Sequence, residues 1–213
     1  MKLHLLVDNP KSWIVPYVLR LQQELIAKGH AVTYVSDQKH ITEGDCAFFL
    51  GCEHIVKQET LDKNTHNLVI HESALPAGKG WSPLTWQILA GENAIPVTLF
   101  EAQASVDSGD IYAQTILQFE GHELNEELKH AQGEATMRLV HMFVDMYPNI
   151  SPTAQQGTES FYEKRTPKDS ELDINKTIQE QFNLLRVVDN ERYPAYFMHM
   201  GKKYILRITK EDI

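Results

Sequence analysis

Short apolar segments of strand length alternate with longer amphipathic segments through residues 1–150 of this 213-residue chain. The apolar segments predict strands over residues 2–8, 31–36, 46–50, 67–71, 95–102 and 111–117. Helices are predicted over residues 12–28, 55–61, 83–90 and 125–146. Because strands that alternate with helices favour a parallel sheet, we predict a doubly wound, mostly parallel α/β sheet.

The charge of the chain changes near residue 150. Residues 1–150 carry 10 basic and 19 acidic side chains, whereas residues 151–213 carry 10 of each. We therefore predict a domain of residues 1–150 and a C-terminal extension of residues 151–213, divided near Pro148–Pro152. In the extension, the pattern predicts a loop over 161–172, a helix over 175–188 and a β-hairpin of strands 195–200 and 203–208.

Composition excludes several classes of partner and site. The formal net charge of −9 argues against a nucleic-acid polymer or an anionic membrane as partner, since both require a basic face. No apolar run approaches the roughly 18 residues of a membrane span, and no signal peptide is recognised, so a cytoplasmic protein is expected. Cys46 and Cys52 form no paired motif and the ten histidines show no ligand spacing, so neither a disulfide framework nor a metal site is expected.

The turn after the first predicted strand lacks the glycines of common nucleotide-binding loops. It reads Asp8-Asn9-Pro10, and the chain contains no G-x-G-x-x-G and no G-x-x-x-x-G-K-S/T. H-E-x-x-H and G-x-S-x-G are also missing from the sequence. These observations argue against the usual dinucleotide and nucleoside-triphosphate sites, and they weaken a serine-hydrolase hypothesis.

His71 stands at the predicted carboxyl end of the fourth strand, the edge at which open α/β sheets bind ligands. In the loop that follows, Gly80 permits close approach of a ligand, Lys79 suits a phosphate and Trp81 suits a base, although a surface turn is an equal alternative for Lys79. Asp107 precedes the next strand but one, and a carboxylate beside a histidine fixes its tautomer and raises its basicity.

Together these residues resemble the formyltransferases that use N10-formyltetrahydrofolate. The family pattern is Asn-x-His-x-Ser-x-Leu-Pro, then a glycine-rich loop, then Asp-x-Gly-x-Ile. Here it reads Val-Ile-His-Glu-Ser-Ala-Leu-Pro over residues 69–76 and Asp-Ser-Gly-Asp-Ile over residues 107–111. His71 and Asp107 are 36 residues apart, as in the family, whereas Val69 replaces the family asparagine. The resemblance covers about residues 1–150 and implies a formyltransferase-like variant of the Rossmann fold.

The extension resembles one branch of this family, the nucleotide-sugar N-formyltransferases, over residues 161–174 and 192–197. This resemblance implies transfer of a formyl group to the amine of a nucleoside-diphosphate-linked 4-amino-4,6-dideoxy sugar for surface glycans. His71 would polarise the formyl carbonyl, and Asp107 would orient His71 and help to collect the amine proton.

The resemblance also assigns binding residues. The folate co-substrate would lie along Ser73, Ala74, Leu75 and Pro76, with its pterin between Leu50, Gly51 and the loop of Ser105. The nucleotide would contact residues in two parts of the chain: Lys79, Gly80, Trp81, Arg165 and Tyr193.

Four alternatives stay open at this point. The chain could be a methionyl-tRNA or glycinamide ribonucleotide formyltransferase, a formyltetrahydrofolate hydrolase, or a non-catalytic binding relative in view of Val69. The net charge of −9 fits tRNA badly, and the turn at Asp8 lacks the phosphate loop expected for the ribonucleotide enzyme. The protein is expected to be a monomer or a homodimer joined through the terminal hairpin.

Overall fold

The computed structural model describes residues 1–211, which form one six-stranded sheet, two small two-stranded sheets and surrounding helices. The strands are β1 Lys2–Leu6, β2 Ala31–Val35, β3 Gly44–Phe49, β4 Asn64–His71, β5 Lys79–Gly80, β6 Ala94–Glu101, β7 Ile111–Gln118, β8 Phe161–Tyr162, β9 Ala195–His199 and β10 Lys202–Leu206. The α-helices are α1 Val15–Ala27, α2 Gln58–Leu61, α3 Pro83–Leu89, α4 Asn125–Met146 and α5 Phe182–Val187.

The large sheet has the strand order β2-β1-β3-β4-β6-β7. Strands β1 to β4 are parallel, β6 runs antiparallel to β4, and β7 runs antiparallel to β6. The prediction of a mostly parallel α/β sheet is therefore confirmed. Because β1, β3 and β4 are parallel, their carboxyl ends meet at one edge of the sheet, and His71 ends β4 there.

Apolar side chains on one face of the sheet pack against α1 and α4. Phe48 of β3 contacts Phe143 of α4 edge-on, with ring centroids 5.9 Å apart, and both side chains are fully buried. The two helices approach closely because Gly133 of α4 has no side chain: a Cβ there would lie 2.7 Å from the Tyr17 ring of α1. A second apolar cluster, which includes Leu6, Phe49 and Leu61, covers the opposite face.

The extension differs from its sequence-based prediction in one helix. The helix predicted over 175–188 is shorter, because α5 begins at Phe182 after a 3-10 turn over Gln179–Gln181. The Thr177 hydroxyl accepts from the Glu180 N–H and the Glu180 carboxylate accepts from the Thr177 N–H. This capping box begins the first turn at Thr177 and leaves residues 175 and 176 outside it. The predicted terminal hairpin is present as β9 and β10.

The short parallel pair of β5 and β8 was not predicted, since two-residue strands leave no periodic pattern. It joins the loop after His71 to the extension. The division of the chain at residue 150 stays a prediction. No helix within residues 1–211 is long and apolar enough to cross a membrane.

Candidate functional site

A cavity of about 610 Å³ opens at the carboxyl edge of the parallel strands. It is lined by His71 and Asp107, by strand-end residues such as Leu50 and Val69, and by the extension residues Lys164, Arg165, Arg192 and Tyr193. The sheet edge predicted from the sequence is thus the floor of the cavity, and the extension supplies part of its wall. Among residues 1–211, no three histidine, cysteine, aspartate or glutamate side chains are placed to hold a metal ion.

The His71 ring is nearly enclosed, with 7% of the residue exposed. Its Nε2 lies 2.8 Å from the carbonyl oxygen of Gly78, so we assign the ring proton to Nε2, which donates to that carbonyl. Gly78 has φ 73°, and a Cβ at this position would lie 2.8 Å from the Tyr162 ring. A glycine therefore lets the loop fold back far enough for its carbonyl to reach His71.

Asp107 lies across the cavity edge from His71, with its Oδ2 3.8 Å from His71 Nε2. This is an ion-pair distance, longer than a direct hydrogen bond. The same oxygen accepts a hydrogen bond from the Gly80 backbone N–H at 2.9 Å. Asp107 has φ 51°, a left-handed conformation that aspartate tolerates better than most residues. The structure brings the two predicted catalytic residues together in one cleft.

A segment of the extension holds in place the two loops that contact His71 and carry Asp107. The Gln155 side-chain amide donates to the backbone carbonyls of Asp107 and Gly109, at 2.9 and 2.8 Å. The Ser160 hydroxyl accepts a hydrogen bond from the backbone N–H of Gly78 at 2.8 Å. Sequence reasoning missed this segment because neither residue belongs to a motif and the contacts span 46 to 82 residues.

The position of the family asparagine is apolar. Val69 lines the cavity together with Phe49, Phe100 and Ala102, so this wall offers no side-chain N–H group beside His71. Glu72, the residue after His71, also lines the cavity, and burial raises the pKa of its carboxyl group. Sequence reasoning missed Glu72; the signal available was an acidic residue directly beside the predicted catalytic histidine.

The predicted folate residues divide into two groups. Leu50 and Gly51 line the cavity, whereas Ser73, Ala74, Leu75, Pro76 and Ser105 do not. The folate contact of residues 73–76 stays a prediction. Their turn is directed toward the extension, because the Pro76 carbonyl accepts from the Ser160 N–H and Gly157 packs on the Pro76 ring. Gln103, an exposed residue that sequence reasoning missed, also lines the cavity.

The predicted nucleotide residues also divide. Gly80, Trp81, Arg165 and Tyr193 line the cavity, but Lys79 does not. The Lys79 ammonium is ion-paired with Glu159, and its side chain is only 3% exposed. The alternation of residues along β5 directs this side chain away from the cavity. The expected orientation of Lys79 toward a phosphate is therefore corrected.

Three cationic side chains stand at the cavity wall instead. Lys164 Nζ lies 4.3 Å from the centre of the Trp81 ring, a cation–π distance. Arg165 donates from Nη2 to the Asp169 carbonyl at 3.2 Å, its buried Nε has no partner within the described residues, and burial lowers the pKa of its guanidinium. Arg192 is the third cation, and its Cζ lies 5.9 Å from the centre of the Tyr193 ring. This wall is suited to an anionic group with an aromatic neighbour.

The chain is similar in structure to solved proteins over nearly its full length. A 4-N formyltransferase from Francisella tularensis shares 18% identity, with a TM-score of 0.80, over 100% of this chain and 98% of that one. HypX from Aquifex aeolicus in complex with tetrahydrofolic acid shares 20% identity, with a TM-score of 0.80, over 98% of this chain and 37% of that one. At such identities the similarity establishes the fold.

Sequence comparison establishes the family. A methionyl-tRNA formyltransferase from Lactobacillus johnsonii is 29% identical over 140 residues, which are 63% of this chain and 44% of that protein. The chain therefore spans less than half of the length of this curated relative. The family described as Formyl transferase matches residues 15–141, more than half of the chain. With the fold, the histidine–aspartate cleft and this match in agreement, the chain belongs to the formyl transferase family.

Proposed function

We propose that the protein transfers a formyl group from N10-formyltetrahydrofolate to the amino group of a nucleoside-diphosphate-linked 4-amino-4,6-dideoxy sugar destined for a surface glycan. One observation carries this proposal: His71 and Asp107 face a cavity that continues to the cationic wall of Lys164, Arg165 and Arg192. Reactive groups and anion-binding groups thus border one continuous space.

The residues of the site divide the chemistry between them. His71 Nε2–H is the donor available to the formyl oxygen, where negative charge develops as the amine attacks. To reach that oxygen, the His71 proton must share or leave its hydrogen bond with the Gly78 carbonyl. Asp107 fixes this loop through the Gly80 N–H and holds a negative charge 3.8 Å from the histidine.

The cavity fits a flat heterocycle at its inner end. Phe49, Leu61 and Phe100 provide buried apolar surface there, and Gln103, an exposed residue, adds polar atoms to the cavity lining. A pterin ring is apolar on its faces and polar along its edge, which matches such a lining. Bound folate supplies the activated formyl group, and the tetrahydrofolate complex of the structurally similar HypX supports a folate in this position.

The cationic wall supports a diphosphate near the extension. Among residues 1–211, the buried Nε–H of Arg165 has no hydrogen-bond partner, and a charged hydrogen bond to phosphate would satisfy it. Trp81 and Tyr193 are each partly exposed beside these cations and can stack on a base or a sugar. The 4-N formyltransferase that matches nearly end to end supports formyl transfer to a nitrogen at position 4 of the acceptor. Free thiols at Cys46 and Cys52 suit a reducing cytoplasm.

The test is formyl transfer by the purified protein. N10-Formyltetrahydrofolate should be consumed only when a UDP- or dTDP-linked 4-amino sugar is present, and His71→Ala should abolish this consumption. Arg165→Ala should raise KM for the sugar nucleotide about tenfold with kcat little changed, whereas Arg207→Ala, at an exposed ion pair with Glu191, should have no effect.

Three results would contradict the proposal. Consumption without any acceptor would identify a hydrolase, and formylation of methionyl-tRNA in place of the sugars would identify the tRNA enzyme. No turnover across the panel of amino sugars would exclude the substrate class.

A further inference from the structure

Glu72 lies on the wall between the main cavity and a second one. The second cavity, of about 230 Å³, lies between α3, α4 and the extension. Six residues line both spaces: Trp13, Glu72, Ser82, Gln132, Arg192 and Tyr193. A ligand in the second cavity would thus meet Glu72 before it reached His71.

Neighbouring glutamine side chains contact both the backbone and the side chain of Glu72. Its carbonyl oxygen accepts a hydrogen bond from the Gln87 side-chain amide at 2.5 Å, and its carboxyl group lies beside the Gln132 side chain of α4. The other charged or titratable residues that line the two cavities are Cys52, Glu53, His54, His71, Asp107, Lys129, Lys164, Arg165, Asp189, Arg192 and Tyr193. Lys129 and Asp189 neutralise each other at 2.9 Å.

Acylation of an amine requires a group that takes up the amine proton. Asp107 already accepts from the Gly80 N–H, and Val69 leaves the neighbouring wall apolar. The Glu53 carboxylate also borders the cavity, but it accepts a hydrogen bond from Asn9 at 2.8 Å and lies in an exposed loop. Glu72 follows His71 in the chain and lines both cavities, and its side chain lies beside Gln132, which also lines both.

We propose that Glu72 is a catalytic residue whose carboxylate accepts the proton of the attacking amine, which approaches His71 from the second cavity. The inference rests on the proposed formyl transfer. The amine nitrogen forms a bond to the formyl carbon as the bond from that carbon to N10 of the folate breaks. The amine proton passes to Glu72, which then gives it through water to N10 as the bond from N10 to the formyl carbon breaks. His71 keeps its Nε2 proton and donates it as a hydrogen bond to the formyl oxygen.

The electrostatic surroundings of Glu72 agree with this role. Burial raises the pKa of its carboxyl group, while the His71 ring and the Gln132 side chain oppose that rise. A general base works best when its pKa lies near the working pH, so a raised carboxyl pKa improves proton uptake.

The first measurement compares Glu72→Gln with a matched control, Glu126→Gln, at an exposed position in the first turn of α4. Glu72→Gln should lower kcat by about 10²–10⁴-fold, because that is the usual contribution of general acid–base catalysis. Tetrahydrofolate affinity, measured by calorimetry, should stay unchanged. The limb of the kcat–pH profile that rises with pH through the Glu72 pKa should disappear, and Glu72→Asp should restore part of the rate.

The second measurement needs no turnover. Carbon-13 NMR of the ligand-free protein should show the Glu72 carboxyl titrating clearly above the ordinary value of about 4.3, with Glu72→Gln giving the assignment. Ordinary titration would overturn the inference, as would wild-type kcat in Glu72→Gln or an unchanged acidic limb in that variant. Absence of formyl transfer by the wild-type protein would instead overturn the proposed function, and the inference with it.

Discussion

The side-chain amide of Gln155 donates a hydrogen bond to the backbone carbonyl of Asp107 at 2.9 Å, although 48 residues separate the two in the chain. The same amide nitrogen donates to the Gly109 carbonyl at 2.8 Å. The extension therefore fixes the backbone of a loop whose aspartate adopts φ 51°. The orientation of a proposed catalytic carboxylate depends on a residue outside the stretch that matches the family.

We expect Gln155→Ala to lower kcat about tenfold, because a small displacement of Asp107 changes its distance to His71. The loss of stability should be about 1–3 kcal/mol, as expected when partly buried carbonyls lose a donor. Steady-state kinetics and thermal unfolding measure the two effects. Gln22→Ala is the control: Gln22 of α1 donates a comparable hydrogen bond from its side-chain amide to the Val32 carbonyl of β2 at 3.2 Å. Its loss should leave kcat unchanged. Equal kcat in both variants would contradict the prediction.

Two substitutions of Asp107 separate the effect of its negative charge from the effect of its left-handed backbone. Asp107→Asn keeps an oxygen for the Gly80 N–H and tolerates the left-handed conformation, so it should fold normally. It should nevertheless lower kcat by about 10²-fold or more, because the charge near His71 is lost. Asp107→Ala should add a stability loss of about 1–2 kcal/mol from the left-handed backbone. Thermal unfolding of both variants tests this, and equal melting temperatures would count against it.

Arg186 of α5 joins the extension to the body of the protein. Its side chain is 1% exposed, and its guanidinium contacts the Glu123 carboxylate at 3.1 Å and the Asn93 side chain at 2.9 Å. Arg186→Met should cost about 1–3 kcal/mol of unfolding free energy, because the Asn93 side chain and the partly buried Glu123 carboxylate, which keeps its backbone N–H donors, lose a charged donor. The melting temperature should fall by about 2–4 °C for each kcal/mol. Lys28→Met, in a largely exposed pair with Asp145, should cost about 1 kcal/mol at most.

Asp189 couples stability to pH. Burial alone would raise its pKa, but the backbone N–H groups of Arg192 and Glu191 and the Lys129 ammonium outweigh burial and lower the pKa to about 2. Because the folded-state pKa lies below the ordinary value of about 3.9, the carboxylate stabilises the fold above that value and this contribution disappears as pH falls toward about 2.

The expected contribution of Asp189 is about 2 kcal/mol. Urea unfolding between about pH 6 and pH 2 should show a steeper loss of stability for the wild type than for Asp189→Asn. Parallel curves for the two proteins would exclude the carboxylate as the cause. Since Asp189 also fixes the turn that carries Arg192, we expect the variant to bind the sugar nucleotide more weakly at neutral pH.

The alternation of apolar strands and amphipathic helices determined the sheet and its helices. Such patterns are local, because burial of one face requires apolar residues at the period of the element. The same reasoning placed His71 at the edge where parallel strands end, and the spacing to Asp107 linked it to a second loop. The helix of the extension was predicted too long because Thr177 and Glu180 form a capping box that starts the turn at Thr177, and a 3-10 turn precedes α5, which begins at Phe182.

The tertiary structure alone decided the direction in which each polar side chain points. Lys79 and Arg165 are both cations in loops beside aromatic residues, yet Lys79 is buried against Glu159 and Arg165 borders the cavity. The link between Gln155 and Asp107 and the position of Glu72 between two cavities are equally invisible in the sequence. The sequence pattern shows which residues share a face of one helix or strand, because that information is local. Contacts between residues 48 or 80 positions apart form only when the chain folds and its buried polar groups pair with one another.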